Sequence, residues 1–173
     1  TVATGQERST APTPVPPLAE LFPFPLDPFQ LEAIDALNQG RSVVVSAPTG
    51  SGKTLVGEYA IHRALAHGQK VFYTTPLKAL SNQKLRDFRH QFGAENVGLL
   101  TGDLSLNREA RIVVMTTEIF RNMLYAEIDH PDDDPLADVE AVVLDECHYM
   151  NDTQRGTVWE ESIIHCPPVI QLV

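Results

Sequence analysis

Short apolar runs alternate with amphipathic stretches along most of this chain, and that rhythm constrains the fold more than any other feature. SVVVSA (42–47), KVFYTTP (70–76), NVGLLTG (96–102), ARIVVMT (110–116), VEAVVLDE (139–146) and VIQLV (169–173) read as buried strands. Between them KTLVGEYAIHRALAHG (53–68), LKALSNQKLRDFRHQF (77–92), TEIFRNMLYAEI (117–128) and GTVWEESIIHC (156–166) read as helices. In the first helix Leu55, Tyr59, His62 and Ala66 fall near one face, and Gly68 supplies a C-terminal stop. Strands of this kind separated by helices predict an α/β fold, a mostly parallel sheet covered by helices on both faces.

The ends of the chain read differently. TVATGQERSTAPTPVPP (1–17) is small, polar and proline-rich, the composition of a disordered tail. FPFPLDPFQ (22–30) sets three Phe among three Pro and cannot be one regular helix. Asp27 can cap a helix with Pro28 at its first position, running through FQLEAIDALNQG to a stop at Gly40. HPDDDP (130–135) reads as an exposed acidic loop.

Charge excludes some functions and permits others. The net charge is −10, but residues 127–161 hold 12 acids and one base, Arg155. The remainder is nearly balanced, with 11 acids and 12 bases, so a local nucleic-acid surface stays open while binding by bulk positive charge does not. Cys147 and Cys166 form no CxxC pair and no zinc-ligand spacing, as expected of reduced thiols in a cytoplasmic protein. No apolar run approaches the ~18 residues of a membrane span, and no signal peptide is legible.

Ligands of open parallel sheets sit beyond the carboxyl ends of the strands. Two motifs lie there. SAPTGSGKT (46–54) joins a strand to a helix through a glycine-rich loop. Gly50 and Gly52 let the backbone approach closely, so the loop from Pro48 and Thr49 through Ser51 can cradle phosphate oxygens at a helix N-terminus. Lys53 supplies a point charge for the β- and γ-phosphates, and Thr54 a hydroxyl for Mg²⁺. Ala47 stands where the usual GxxxxGK[ST] pattern has Gly, so the match is to the variant AxxGxGKT. At the other motif, VVLDECH (142–148), an apolar run meets two carboxylates. Asp145 can hold Mg²⁺ largely through its water shell, and Glu146 can orient and deprotonate an attacking water. Gln30 lies upstream, where a Gln amide could read the N6 and N7 edge of adenine and select ATP, with Phe22, Phe24 or Phe29 stacking on the base. A polar residue on an amphipathic helix beside core phenylalanines fits the same spacing.

These motifs, with YTTPLKALSNQK (73–84), TGD (101–103), TTEIFRNMLY (116–125) and DECHYMNDTQRGTVWEE (145–161), resemble a superfamily 2 helicase, most closely the DExH-box RNA helicases of the superkiller, exosome-assisting type. The resemblance runs from about Phe22 to Val173. It implies a three-layer RecA-like phosphate-loop domain over 42–173, preceded by an adenine-recognition segment over 18–41. On it, Gln30 reads adenine, Gly50, Gly52, Lys53 and Thr54 form the phosphate and Mg²⁺ site, and Asp145 and Glu146 become metal carboxylate and catalytic base. His148 couples nucleotide state to the rest of the motor, while a core histidine bonded to backbone is the plainer reading. Pro76, Leu77 and Lys78 would meet the backbone of one RNA strand, and Thr101, Gly102, Thr116 and Thr117 match later strand-contacting blocks. Backbone N–H groups, hydroxyls and one Lys suit a sequence-blind phosphate track. On the helix after this block Lys78, Arg86 and Arg89 fall within about one quadrant at ~100° per residue, with the arginines left open as contacts.

The family continues after a strand like VIQLV into a Ser-Ala-Thr motif and a second RecA-like domain. On the resemblance both lie beyond Val173, so this polypeptide alone is expected to bind ATP weakly and hydrolyse it slowly or not at all. The implied partners are single-stranded or partly duplex RNA, the second RecA-like domain and an RNA-processing complex. A DNA-directed helicase domain remains open, because sequence-blind contacts do not separate DNA from RNA. So does a stand-alone nucleotide-binding interaction module without turnover, its acidic 127–161 segment serving as a partner surface.

Overall fold

The computed structural model describes residues 18–45, 52, 54–129, 138–145 and 169–172. The expected tail over 1–17, most of the phosphate loop, the acidic loop over 130–135 and the helix over 156–166 lie outside the described residues.

Helices α1 (Leu18–Leu21) and α2 (Pro28–Asn38) precede strand β1 (Val43–Val45) and helix α3 (Thr54–Ala66). Then follow β2 (Lys70–Thr75), α4 (Lys78–Phe92), β3 (Val97–Leu100), β4 (Ser105–Leu106), β5 (Ile112–Thr116), α5 (Thr117–Asp129), β6 (Val139–Asp145) and β7 (Val169–Leu172). The expected strands and helices appear within a residue or two wherever they are described. The start of α2 is set as the sequence predicts, with Asp27 extended at the cap and Pro28 in the first turn. Gly68 ends the turn after α3 at φ +70°, and the next N–H, of Gln69, reaches back to the Ala64 carbonyl at 3.0 Å. Three short elements were not legible in advance: the four-residue α1, a three-residue 3-10 turn at Ala94–Asn96, and the two-residue β4, the last folding back antiparallel on β3.

The described strands form one sheet in the order β1-β7-β6-β2-β5-β3-β4, parallel except at β4. Alternation along the central strands divides the core in two. Val71, Tyr73, Ile112, Val114, Ala141 and Val143 face α2, α3 and α4. Phe72, Val113, Met115, Val142 and Leu144 face the other way, onto Phe120 and Met123 of α5. Helices therefore cover both faces, which is why these strands carry no polar stripe. Fully burying an aromatic such as Phe88 contributes roughly 2–3 kcal/mol. No helix among the described residues is long and apolar enough to cross a membrane.

The carboxyl ends of all the parallel strands lie along one edge of the sheet. The order sorts them: β1 and β6, which lead into SAPTGSGKT and DECH, sit to one side, separated by β7. The strands β2, β5 and β3, which lead into PLKAL, TTE and TGD, sit to the other. The border runs between β6 and β2.

Candidate functional site along the carboxyl edge

Gln30 sits in the first turn of α2 and is only 4% exposed. Its Oε1 accepts from the Asp27 N–H at 2.8 Å, and its Nε2 donates to the Gly52 carbonyl at 2.9 Å. Among the described residues one amide hydrogen and one oxygen lone pair remain, the two groups that a bidentate contact to an adenine edge needs. Among the stacking candidates, Phe22 is buried in the core, where its ring meets His62 edge-on at 6.0 Å. Phe29 is half-buried against the same core. Phe24 is 54% exposed, the most exposed of the three, with its ring tilted against Phe22 at 6.1 Å.

Gly52 is bound to this arrangement from the loop side. Its φ of +83° lies in the left-handed region, and a β-carbon there would stand 2.7 Å from Gln30 Nε2. The close approach at this glycine is made by the Gln30 amide. Thr54 opens α3 and is half-buried. Pro48, Thr49, Gly50, Ser51 and Lys53 lie outside the described residues, as do Glu146, Cys147 and His148.

Asp145 ends β6 and is 9% exposed. It follows Val143 by two residues, so it points to the face that carries α3, the helix led by Thr54. Its Oδ2 accepts from the Tyr73 hydroxyl at 2.8 Å. The donor set fits the implied metal: a buried carboxylate and a threonine hydroxyl are hard oxygen ligands suited to Mg²⁺.

The other side of the edge holds the expected strand-contacting residues. Thr75 bonds the Ser81 hydroxyl at 2.6 Å and donates to the Leu77 carbonyl at 3.1 Å, fixing the turn that carries Pro76 and Leu77. Leu77 is 51% exposed, and Lys78 opens α4. Thr101 is buried, with Gly102 exposed beside it and open space where a β-carbon would lie. Asp103 ties these blocks together: Oδ1 accepts from the Thr101 hydroxyl at 3.0 Å, and Oδ2 accepts from the Lys78 ammonium. The Lys78 bond, with help from Thr101, holds the Asp103 carboxyl below its usual pKa. Thr116 accepts from the Ile119 N–H at 3.5 Å, a weak cap on α5, and Thr117 is the first residue of that helix. Arg86 is exposed and Arg89 half-buried, with its Nε buried and unbonded among the described residues.

Two residues at this edge escaped the reading of the sequence as chemistry, Tyr73 and Asp103. Both stand inside quoted blocks, YTTPLKAL and TGD, yet their partners lie 72 and 25 residues away, where no local pattern points.

A family model described as DEAD/DEAH box helicase matches residues 27–173. The chain is 56% identical over 157 residues to the DExH-box ATP-dependent RNA helicase DExH15, chloroplastic, of Arabidopsis thaliana, covering 90% of this chain and 13% of that protein. It is 50% identical over 159 residues to the antiviral helicase SKI2 of Saccharomyces cerevisiae, covering 92% of this chain and 12% of that protein. The chain thus spans about an eighth of the length of these relatives. Among solved structures, the Hef helicase domain of Pyrococcus furiosus matches with a TM-score of 0.66 and 27% identity over 90% of this chain and 34% of that one.

Proposed function

Because this chain belongs to the DEAD/DEAH box helicase family, we propose that it is the ATP-binding domain of a motor that hydrolyses ATP to move along and unwind RNA. The observation that carries this reading is the sorting of the carboxyl edge. Nucleotide motifs lead off β1 and β6, and strand-contact motifs lead off β2, β5 and β3. The relative at 56% identity is an RNA helicase, which favours RNA as the track.

In this reading the free amide hydrogen and lone pair of Gln30 engage the adenine edge, and Phe24 stacks on the base. The loop from Pro48 to Gly52 wraps the phosphates, and Lys53 pairs with the terminal two. Thr54 and Asp145 hold Mg²⁺, which when bound offsets the charge of the β- and γ-phosphates. Glu146 accepts a proton from the attacking water, whose oxygen bonds the γ-phosphorus as the bond to the β–γ bridging oxygen breaks. His148 relays the nucleotide state. Pro76, Leu77, Lys78, Thr101, Gly102, Thr116 and Thr117 meet sugar and phosphate without reading sequence.

The test is Glu146→Gln in the complete enzyme that carries this domain, because the domain alone is expected to turn ATP over slowly. Nucleotide binding should persist while hydrolysis falls to background, and surviving hydrolysis would remove the catalytic assignment. Competition between RNA and DNA strands of one sequence, at one stated salt concentration, decides the track.

A further inference from the structure

Strands β6 and β2 form the border between the two halves of the carboxyl edge, and one side chain crosses it. Tyr73 of β2 is paired with Val143 of β6, so Asp145 is its diagonal neighbour on the same face. The Tyr73 hydroxyl donates to Asp145 Oδ2 at 2.8 Å.

We propose that Tyr73 is a positioning residue that fixes the Asp145 carboxylate for Mg²⁺-bound nucleotide. This rests on the reading of Asp145 as the metal carboxylate. Three features support it. The phenol is wholly buried, so its ring has one orientation. Phe88 meets it edge-on, with centroids 5.0 Å apart and planes at 76°, and the Lys84 ammonium stands 5.5 Å from the ring centroid. Among the described residues the bond engages one carboxylate oxygen, which leaves Oδ1 for a water of the metal's shell. Partners of this kind orient a metal ligand without touching the metal. Two residues beyond Tyr73 the same strand ends at Thr75, which anchors the Pro76–Lys78 turn. A residue that positions the metal carboxylate is thus built into the strand that leads to the RNA-contact block.

Tyr73→Phe removes the hydroxyl and keeps the ring packing. Thr74→Val is the control: it removes the neighbouring hydroxyl, which donates to the Val143 carbonyl at 3.1 Å and does not reach Asp145. Binding of a fluorescent ATP analogue to the full chain is measured across a Mg²⁺ titration and in EDTA. Tyr73→Phe should raise the Mg²⁺ needed for half-maximal binding by about tenfold, the low end for such partners. Affinity in EDTA should not change, and Thr74→Val should leave the Mg²⁺ requirement at the wild-type value. The proposal is overturned if Tyr73→Phe shows the wild-type Mg²⁺ requirement, if it weakens binding equally with and without Mg²⁺, or if Thr74→Val reproduces its effect. A wild-type chain that binds the analogue in a Mg²⁺-dependent way alongside an unaffected Tyr73→Phe sinks this proposal alone. A wild-type chain that binds none even at millimolar analogue, where weak binding registers, sinks the ATP-binding reading with it.

Discussion

Gly52→Ala attacks the junction between the phosphate loop and α2, and its cost follows from the geometry. The residue has φ +83°, a conformation that costs an L-amino acid ~1–2 kcal/mol. The new β-carbon would lie 2.7 Å from Gln30 Nε2, on an amide held at both ends. Moving that amide gives up a buried hydrogen bond, worth ~1–3 kcal/mol when left unmade. The variant should therefore lose about 2–5 kcal/mol of stability. Gln30→Ala loses the same bond to Gly52 and the helix-end bond to Asp27, the latter worth ~0.5–2 kcal/mol. In the double variant the clash has no target and the shared bond is lost only once. It should be less destabilised than the sum of the singles by about 1–3 kcal/mol. Urea denaturation of the four proteins measures this directly. If the two costs add to within ~0.5 kcal/mol, the two residues are not in contact as described and the reasoning fails.

Three further perturbations test other parts of the fold. Burial raises the Glu58 pKa from its ordinary 4.5, against the smaller opposing pulls of Gln91 and Lys84, so its contribution to stability is complete below 4.5 and is lost as pH rises through the folded-state value. Glu58→Gln should melt with the wild type in acid and higher at neutral pH, by the small amount expected of a part-exposed group; equal curves at every pH would contradict this. Burial between Phe22 and Phe92 lowers the His62 pKa from 6.5, so the stability it contributes is full above 6.5 and is lost as pH falls through the folded-state value. Wild-type Tm should fall faster than that of His62→Phe on acidification from neutral pH, and parallel declines would exclude the effect. Asp103→Asn releases Lys78 from its carboxylate partner, so affinity for single-stranded RNA in a filter-binding assay at low salt should rise about two- to fivefold; unchanged or weaker binding removes Lys78 from the track.

Much of this protein is written in local pattern. The apolar period gives the parallel sheet, because each strand is covered on both faces and needs no polar alternation. Asp27, Pro28 and Gly68 mark helix ends through backbone preferences that act within a turn. The glycine-rich loop and the acid pair are legible as phosphate- and metal-binding candidates, because those residue types stand at the ends of strands. Strand order is another matter. That β6 lies against β2, and that β7 enters between β1 and β6, depends on pairings between segments far apart in the chain, which the whole sheet selects together. Only that packing brings Tyr73 onto Asp145 and Asp103 between Thr101 and Lys78. It also buries Phe22 and leaves Phe24 in solvent, a choice the alternating Phe and Pro left open. Local sequence determines what each segment is and which chemistry it carries. The three-dimensional neighbours of a side chain are decided by burying apolar surface over the entire core, a cooperative condition that no single window of residues contains.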